Sequence, residues 1–448
     1  MRRIYFTFVS LFFIASVTNA QDVQRLSMKD CMDYALKHNY SIKNAQLDVL
    51  IQHIQNNETL SASYPHINGK VEFDDFDIPQ KSFFDASNFD KSLPKGSIGP
   101  VSFTVPFSTS VGITTSQLLF DGAVFVAWKA RNTVMELAKQ TGAVTEENVR
   151  YNVYKAYNSL VIAYRQYEII KSSLAYARSL EHDLEVTRRN GFAEQIEVDR
   201  TSVQVNNLAT DSIRIGNLLK VSENLLKYQI GMNMSTDIIL TDTNVEQHKL
   251  DAMDMLTLES NYERVPEYNL AHTSLLLNEF NLTRYKLTAL PSLSTFWAYG
   301  YNYGSDHLRY MFNKLNKYEP SSTIGIQLNM PIYNGSLRTN QVHETQLNIE
   351  KSKNNIELAK QTIDFQVVTS RTNLKNAILQ VQSQKRNMEL SNRVLDLAQK
   401  KYKGGVGSNL EVTQAQTDVL RSQTNYFSAL LDLINGEADL KKALGLLK

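Results

Sequence analysis

The sequence predicts a mainly α-helical chain in which one unit, ordered helix, strand, strand, long helix, helix, is written twice, with strands suited to crossing a membrane. Three observations predict it. Landmarks recur in the same order at a nearly constant offset, all nine prolines are confined to two stretches, 65–106 and 266–331, and short segments near those prolines alternate apolar and polar residues.

The run Gln117 to Gly122 (QLLFDG) is matched 213 residues later by Met330 to Gly335 (MPIYNG), and Gly191 falls on Gly404 at the same offset. After one inserted residue the offset is 214, which places Glu197 and Val198 on Glu411 and Val412, and Lys227 and Gly231 on Lys441 and Gly445. The chain therefore divides into a leader, residues 1–20, a first repeat, 21–231, and a second, 232–448. Tyr40 to Gly122 is 13 residues longer than Pro266 to Gly335, so the first repeat carries the longer hairpin loop.

Each repeat opens with a helix, near Ser27 to Thr59 and near Met255 to Tyr285. No proline occurs from Phe107 to Val265 or after Pro331. Since an interior proline removes a helix hydrogen bond and clashes with the preceding turn, those stretches are free to run as long helices. A helix from Ala123 to Asn190 would be about 100 Å long at about 1.5 Å per residue. Val149, Val153, Ala156, Leu160, Ala163, Tyr167, Ile170, Leu174 and Ala177 recur at steps of four and three, as do Val412, Ala415, Val419, Ser422, Tyr426, Ala429 and Leu433. That spacing is a coiled-coil seam. The second long segment carries Val367, Ser370, Leu374, Ala377 and Val381, one position out of phase with the first; a compensated gap and two different seams both account for this. The opening helices and the segments after Gly191 and Gly404 are about half as long, so two of them end to end would match one long helix.

Strands are expected near 66–74 and 110–119 in the first repeat and near 292–303 and 323–331 in the second. Ile324, Ile326, Leu328 and Met330 alternate with Thr323, Gln327 and Asn329, while Trp297, Tyr299, Tyr301 and Tyr303 alternate with Gly300 and Asn302. An ordinary soluble hairpin would share this pattern. The lengths match the roughly 9–11 residues of a tilted membrane-crossing strand, and the aromatics lie on the apolar face as in an interfacial girdle. Four strands cannot close alone and lipid does not tolerate bare edges, so crossing strands would require several copies of the chain.

Arg2 and Arg3 precede an apolar run from Ile4 to Val17 and the small-residue end at Ala20, the pattern of a secretory signal cut before Gln21. An uncleaved anchor is the alternative, but the run is short of the roughly 20 residues a spanning helix needs. Cys31 is the only cysteine, so no internal disulfide is possible, and it fits a small core residue. The formal net charge of +1 offers no basic field for nucleic acid. Eight scattered histidines give no metal-ligand pair on one helix, so neither enzyme activity nor a cofactor is expected.

The segment Leu26 to Asn39 (LSMKDCMDYALKHN), the strand ends LFDG at 119–122 and IYNG at 332–335, and the closing Tyr402 to Gln416 (YKGGVGSNLEVTQAQ) together resemble the TolC-type outer membrane efflux protein family over nearly all of the chain after the leader. The resemblance implies a homotrimer whose strands form one 12-stranded barrel in the outer membrane, continued by a 12-helix periplasmic tunnel. It implies a passive exit duct that docks to a periplasmic adaptor (membrane fusion protein) and an inner-membrane pump. It places the inner tip at Gly191 and Phe192 and at Gly404, Gly405, Val406, Gly407 and Ser408, where the adaptor would make contact. Glycine is also the default residue of any sharp helix reversal. An acidic entrance ring would fall on Glu411, with Gln414 where a second carboxylate is usual, and Glu197 and Asp199 at the corresponding depth of the first repeat. Solvated charges on a helix face are the plainer reading of these four. A periplasmic helical structural or adaptor protein without a pore explains the heptads, but not the duplicated apolar-faced hairpins.

Overall fold

The structure, a computed structural model, describes residues 24–88, 90–242, 248–311 and 318–447, so the expected leader lies outside the described residues. The first half runs β1 (Gln24–Leu26), α1 (Met28–His38), α2 (Tyr40–Ser61), β2 (His66–Asp75), β3 (Lys81–Asp85), β4 (Ile98–Ser102), β5 (Phe107–Phe120), α3 (Gly122–Arg189) and α4 (Gln195–Ile230). The second runs β6 (Ile238–Leu240), α5 (His248–Met255), α6 (Pro266–Leu287), β7 (Ser292–Ser305), β8 (Glu319–Asn329), α7 (Leu337–Lys403) and α8 (Asn409–Ala443). Two compact units divide the chain, one of Met1–Leu47, Gln140–Asn269 and Leu358–Lys448, the other of Asp48–Lys139 and Leu270–Glu357. Each draws segments from both halves of the sequence.

In the first unit the core is the heptad seams. All seven named residues of α8 are buried, as are Val367, Ser370, Leu374, Ala377 and Val381 of α7. The phase difference arises without a gap, because α3 buries both alternatives: Val153, Ala156 and Leu160 together with Tyr154, Tyr157 and Val161. An extra layer covers this stretch. The Tyr157 hydroxyl donates to the Asp242 carbonyl at 2.9 Å, just beyond the parallel pairing of β1 with β6. These two three-residue strands are too short to announce themselves by alternation, and the sequence reading did not find them. Small residues let the helices approach closely, and a Cβ on Gly436 of α8 would lie 3.4 Å from the Leu374 backbone of α7.

Two helix boundaries differ from the sequence expectation. The first opening helix is broken at Asn39, whose backbone leaves the helical region at φ −61°, ψ 130°. Its side chain closes the gap: Oδ1 accepts from the Ser41 amide at 2.8 Å, capping α2, and Nδ2 donates to the Gln229 carbonyl at the end of α4 at 2.7 Å. The second opening helix, α6, begins at Pro266 and not near Met255, because proline suits a helix's first position, where no amide partner is needed.

Each repeat also ends in the same joint. Gly231 and Gly445 adopt left-handed φ of 74° and 65°. The Met232 amide donates to the Lys227 carbonyl and the Leu446 amide to the Lys441 carbonyl, each at 2.8 Å, so both final helices stop in a Schellman-type reversal. A Cβ on Gly231 would stand 2.7 Å from the His38 carbonyl oxygen, and one on Gly445 would stand 2.6 Å from that of Arg264. The end of each last helix therefore abuts the backbone just before the opening helix α2 or α6. One turn earlier, Lys227 pairs with Glu223 at 2.6 Å and Lys441 with Glu437 at 2.5 Å. Those pairs lie at the 214-residue offset.

The second unit holds a four-stranded antiparallel sheet in the order β2-β5-β7-β8. β5 and β7 each run 14 residues, longer than expected, and β8 begins at Glu319 and stops at Asn329, before Pro331. The register sets Ile67, Thr115, Trp297 and Ile324 in one row and Val71, Val111, Tyr301 and Pro320 in another, so one face carries apolar and aromatic residues on all four strands. That face is bare: Ile324 is 80% and Ile326 73% exposed. The longer first loop forms a second hairpin, β3 with β4. Among the described residues no helix is long and apolar enough to cross a membrane.

Candidate functional site

Two helix reversals in the first unit, between α3 and α4 and between α7 and α8, hold most of the residues singled out from the sequence. In the first, the Gly191 amide donates to the Arg188 carbonyl at 2.9 Å and the Phe192 amide to the Thr187 carbonyl at 3.0 Å, with Gly191 at φ 80°. In the second, the Gly404 amide donates to the Lys400 carbonyl at 3.0 Å and the Val406 amide to the Lys401 carbonyl at 3.1 Å, with Gly405 at φ 74°. Only glycine takes such φ values without strain. Gly407 has a different role: a Cβ there would come within 2.9 Å of the Tyr402 backbone nitrogen, so its missing side chain lets the loop fold back on α7. Ser408 is the N-cap of α8, its hydroxyl accepting from the Glu411 amide at 3.2 Å. Each turn carries one bare apolar side chain at its apex, Phe192 at 85% exposure and Val406 at 82%.

The two tips are tied to each other. Asn409 Nδ2 donates to Thr201 Oγ1 of α4 at 3.3 Å, and both residues are buried. Below them Val412, Ala415 and Ala398 form a small apolar cluster with Tyr176 and Tyr402. Burial, reinforced by the charge of Glu197, raises the pKa of the Tyr402 phenol. Glu185 beside the first tip is drawn down to about 2 by hydrogen bonds and charge from Arg188 and Arg189.

Glu411 and Gln414 line an open groove of about 490 Å³ between α7 and α8, floored by Leu397, Ala398 and Ala415. The groove contains a second carboxylate that the sequence reading passed over: Asp418, which accepts from Gln414 Nε2 at 3.3 Å. Glu411, Gln414 and Asp418 follow i, i+3, i+7 spacing, which puts them on one face of α8, and that spacing was the available signal. Glu197 and Asp199 do not line this groove. Glu197 is half-buried toward Tyr402, and Asp199 is exposed on α4, accepting from Gln195 Nε2 at 2.7 Å.

Farther along α3 lies a buried carboxyl that sequence did not flag. Glu147 is 5% exposed, and its Oε2 has no hydrogen-bond partner among the described residues. Burial, with the neighbouring charge of Glu267, pushes its pKa up to about 7 against the opposing pull of Lys442.

Comparison with known proteins points one way, in sequence over the second half of the chain and in fold over 93% of it. Residues 289–446 match the Outer membrane efflux protein family. The outer membrane protein TolC of Vibrio cholerae is 21% identical over 344 residues, covering 75% of this chain and 77% of that protein. The Campylobacter jejuni CmeC outer membrane channel superposes with a TM-score of 0.72 at 16% identity, covering 93% of this chain and 85% of that one. CusC, solved in a study of transmembrane channel formation, superposes with a TM-score of 0.71 at 18% identity, covering 93% and 91%. With the duplicated unit, the four-stranded sheet and the paired tips all in place, the chain resembles the TolC-type outer membrane efflux proteins in sequence and shares their fold.

Proposed function

We propose that three copies of this chain form the outer-membrane exit duct of a tripartite efflux or secretion system, passing substrates from an inner-membrane pump to the exterior. The observation that carries this is the sheet. One face presents bare Ile, Leu, Trp and Tyr, the other is mostly polar, and among the described residues both flanking strands, β2 and β8, have an unpaired edge. In water such a face is an aggregation hazard, and in lipid such edges are intolerable. Both problems vanish if β8 of one copy pairs with β2 of the next until the cylinder closes, apolar side to lipid and polar side to a water-filled passage. Three copies supply twelve strands. The long helices would then continue the passage into the periplasm, with the two tips at its inner end facing an adaptor.

Transport through such a duct is passive. Polar strand faces replace part of a solute's hydration, and the pump supplies the energy. At the inner end, Glu411 and Asp418, each present three times around the axis, would hold a negative field that favours cations. Detergent-extracted protein is expected to crosslink to trimers and to conduct in planar bilayers. A monodisperse species that stays in solution without detergent and conducts nothing would leave the helical strut as the reading. In a conducting protein, Glu411→Gln is expected to lower the cation-to-anion permeability ratio measured in a salt gradient, and Glu411→Gln with Asp418→Asn to lower it further. An unchanged ratio in both would remove these residues from the passage.

A further inference from the structure

The four strands of the sheet contain a single lysine or arginine, Lys70 of β2. Its side chain lies on the polar face, where its ammonium pairs with Glu72 two residues on at 2.7 Å, and it remains largely exposed. The register gives its surroundings. Lys70 shares a row with Gly112, Gly300 and Ser321, so nothing bulky stands beside it across the sheet. The two glycines cannot readily be replaced: a Cβ on Gly300 would meet the Val111 carbonyl oxygen at 2.8 Å, and one on Gly112 would meet the Tyr299 carbonyl oxygen at 3.0 Å. The next row toward the β3–β4 side is Glu72, Ser110, Asn302 and Glu319, which sets carboxylates on both edge strands. Asp74 follows one row farther, accepting from Ser108 at 3.1 Å. Each copy thus places one ammonium against three carboxylates on a face otherwise made mostly of Ser, Thr, Asn, Gln and Gly, with Ala298 and the row of His66 and Phe296 at the end away from them.

We propose that Lys70 is the specificity-determining residue of the outer section of the duct, its ammonium offsetting the carboxylates so that anionic as well as cationic solutes pass. The inference rests on the reading of the polar face as the passage wall. In a closed cylinder the lysines form a ring of positive charge immediately inside a ring of Glu72 and Glu319, and the balance of the two sets the sign of the local field. Removing Lys70 leaves Glu72 uncompensated and makes the section strongly cation-preferring. Removing Glu72 releases the ammonium and shifts preference toward anions.

The test uses the full-length protein in planar bilayers under a potassium chloride gradient. Lys70→Gln is expected to raise the cation-to-anion permeability ratio severalfold over the parent, and Glu72→Gln to lower it. A third variant, Lys70→Cys, guards against a folding artefact, since labelling acts on channels already inserted. Cys31, the only native cysteine, is buried and its thiol is pushed up to about 12, so a thiol reagent reaches position 70 alone. A small trimethylammonium reagent is then expected to restore the parent ratio and a small sulfonate reagent to move it the other way. Channels that conduct but keep one ratio through all of these changes would overturn the role of Lys70 while leaving the duct intact. Trimers that never conduct would overturn the duct and this inference with it.

Discussion

Glu147→Gln is expected to stabilise the protein by about 3 kcal/mol at pH 8 and to change nothing at pH 4. In the unfolded chain this carboxyl titrates near its ordinary 4.5, whereas burial and Glu267 raise it to about 7 in the folded state. Below the lower value both states are protonated and the carboxyl is neutral on each side. Between the two values the unfolded chain has released its proton and the folded one has kept it, so stability falls as pH rises, by about 1.4 kcal/mol per unit. Above the upper value the folded protein carries a buried carboxylate with one unpartnered oxygen, and the loss is complete. Glutamine keeps the shape and never ionises. Unfolding midpoints of parent and variant at pH 4 and pH 8 measure this, and equal midpoints at both would refute it. In a Glu267→Gln background the gain should shrink, because the like charge that supplies part of the shift is gone.

Gly231→Ala and Gly445→Ala should each destabilise the first unit by about 3 kcal/mol or more, through the left-handed backbone and the clash together. The proper control is internal. Gly191 and Gly405 have equally positive φ, but nothing lies within 4 Å of a Cβ on either. Alanine at those tips carries only the backbone penalty, about 1 kcal/mol. Unfolding midpoints should therefore separate the four variants into two pairs. If all four lose the same amount, the abutting carbonyls of His38 and Arg264 contribute nothing to these joints.

Much of this was legible in the sequence because it is periodic. Heptad residues on α8 and α7 are buried as spaced, and alternation in β7 and β8 sorts their side chains onto two faces. What could not be read depends on partners distant in the chain. Asn39 would pass for a helical residue until the Gln229 carbonyl is seen beside it. The three-residue strands β1 and β6 exist only because they pair across more than 200 residues. Glu147 looks like any helix-face charge until α6 and α8 arrive on top of it. In the candidate entrance, Glu411 and Gln414 were visible as a turn's sequel, and spacing alone sets Asp418 on their face of α8, but only the groove wall that α7 provides singles it out from other helix-face charges.

The end joints at Gly231 and Gly445 carry a further consequence. Because the nearest atom across each joint is a main-chain carbonyl oxygen, the contact turns on one missing Cβ and depends little on which side chains surround it. A chain bearing such a joint can change its surface side chains while the scaffold keeps its dimensions. The two copies within this one chain already illustrate that freedom: they share the glycine and its capped helix end, yet set it against different residues, His38 in one and Arg264 in the other.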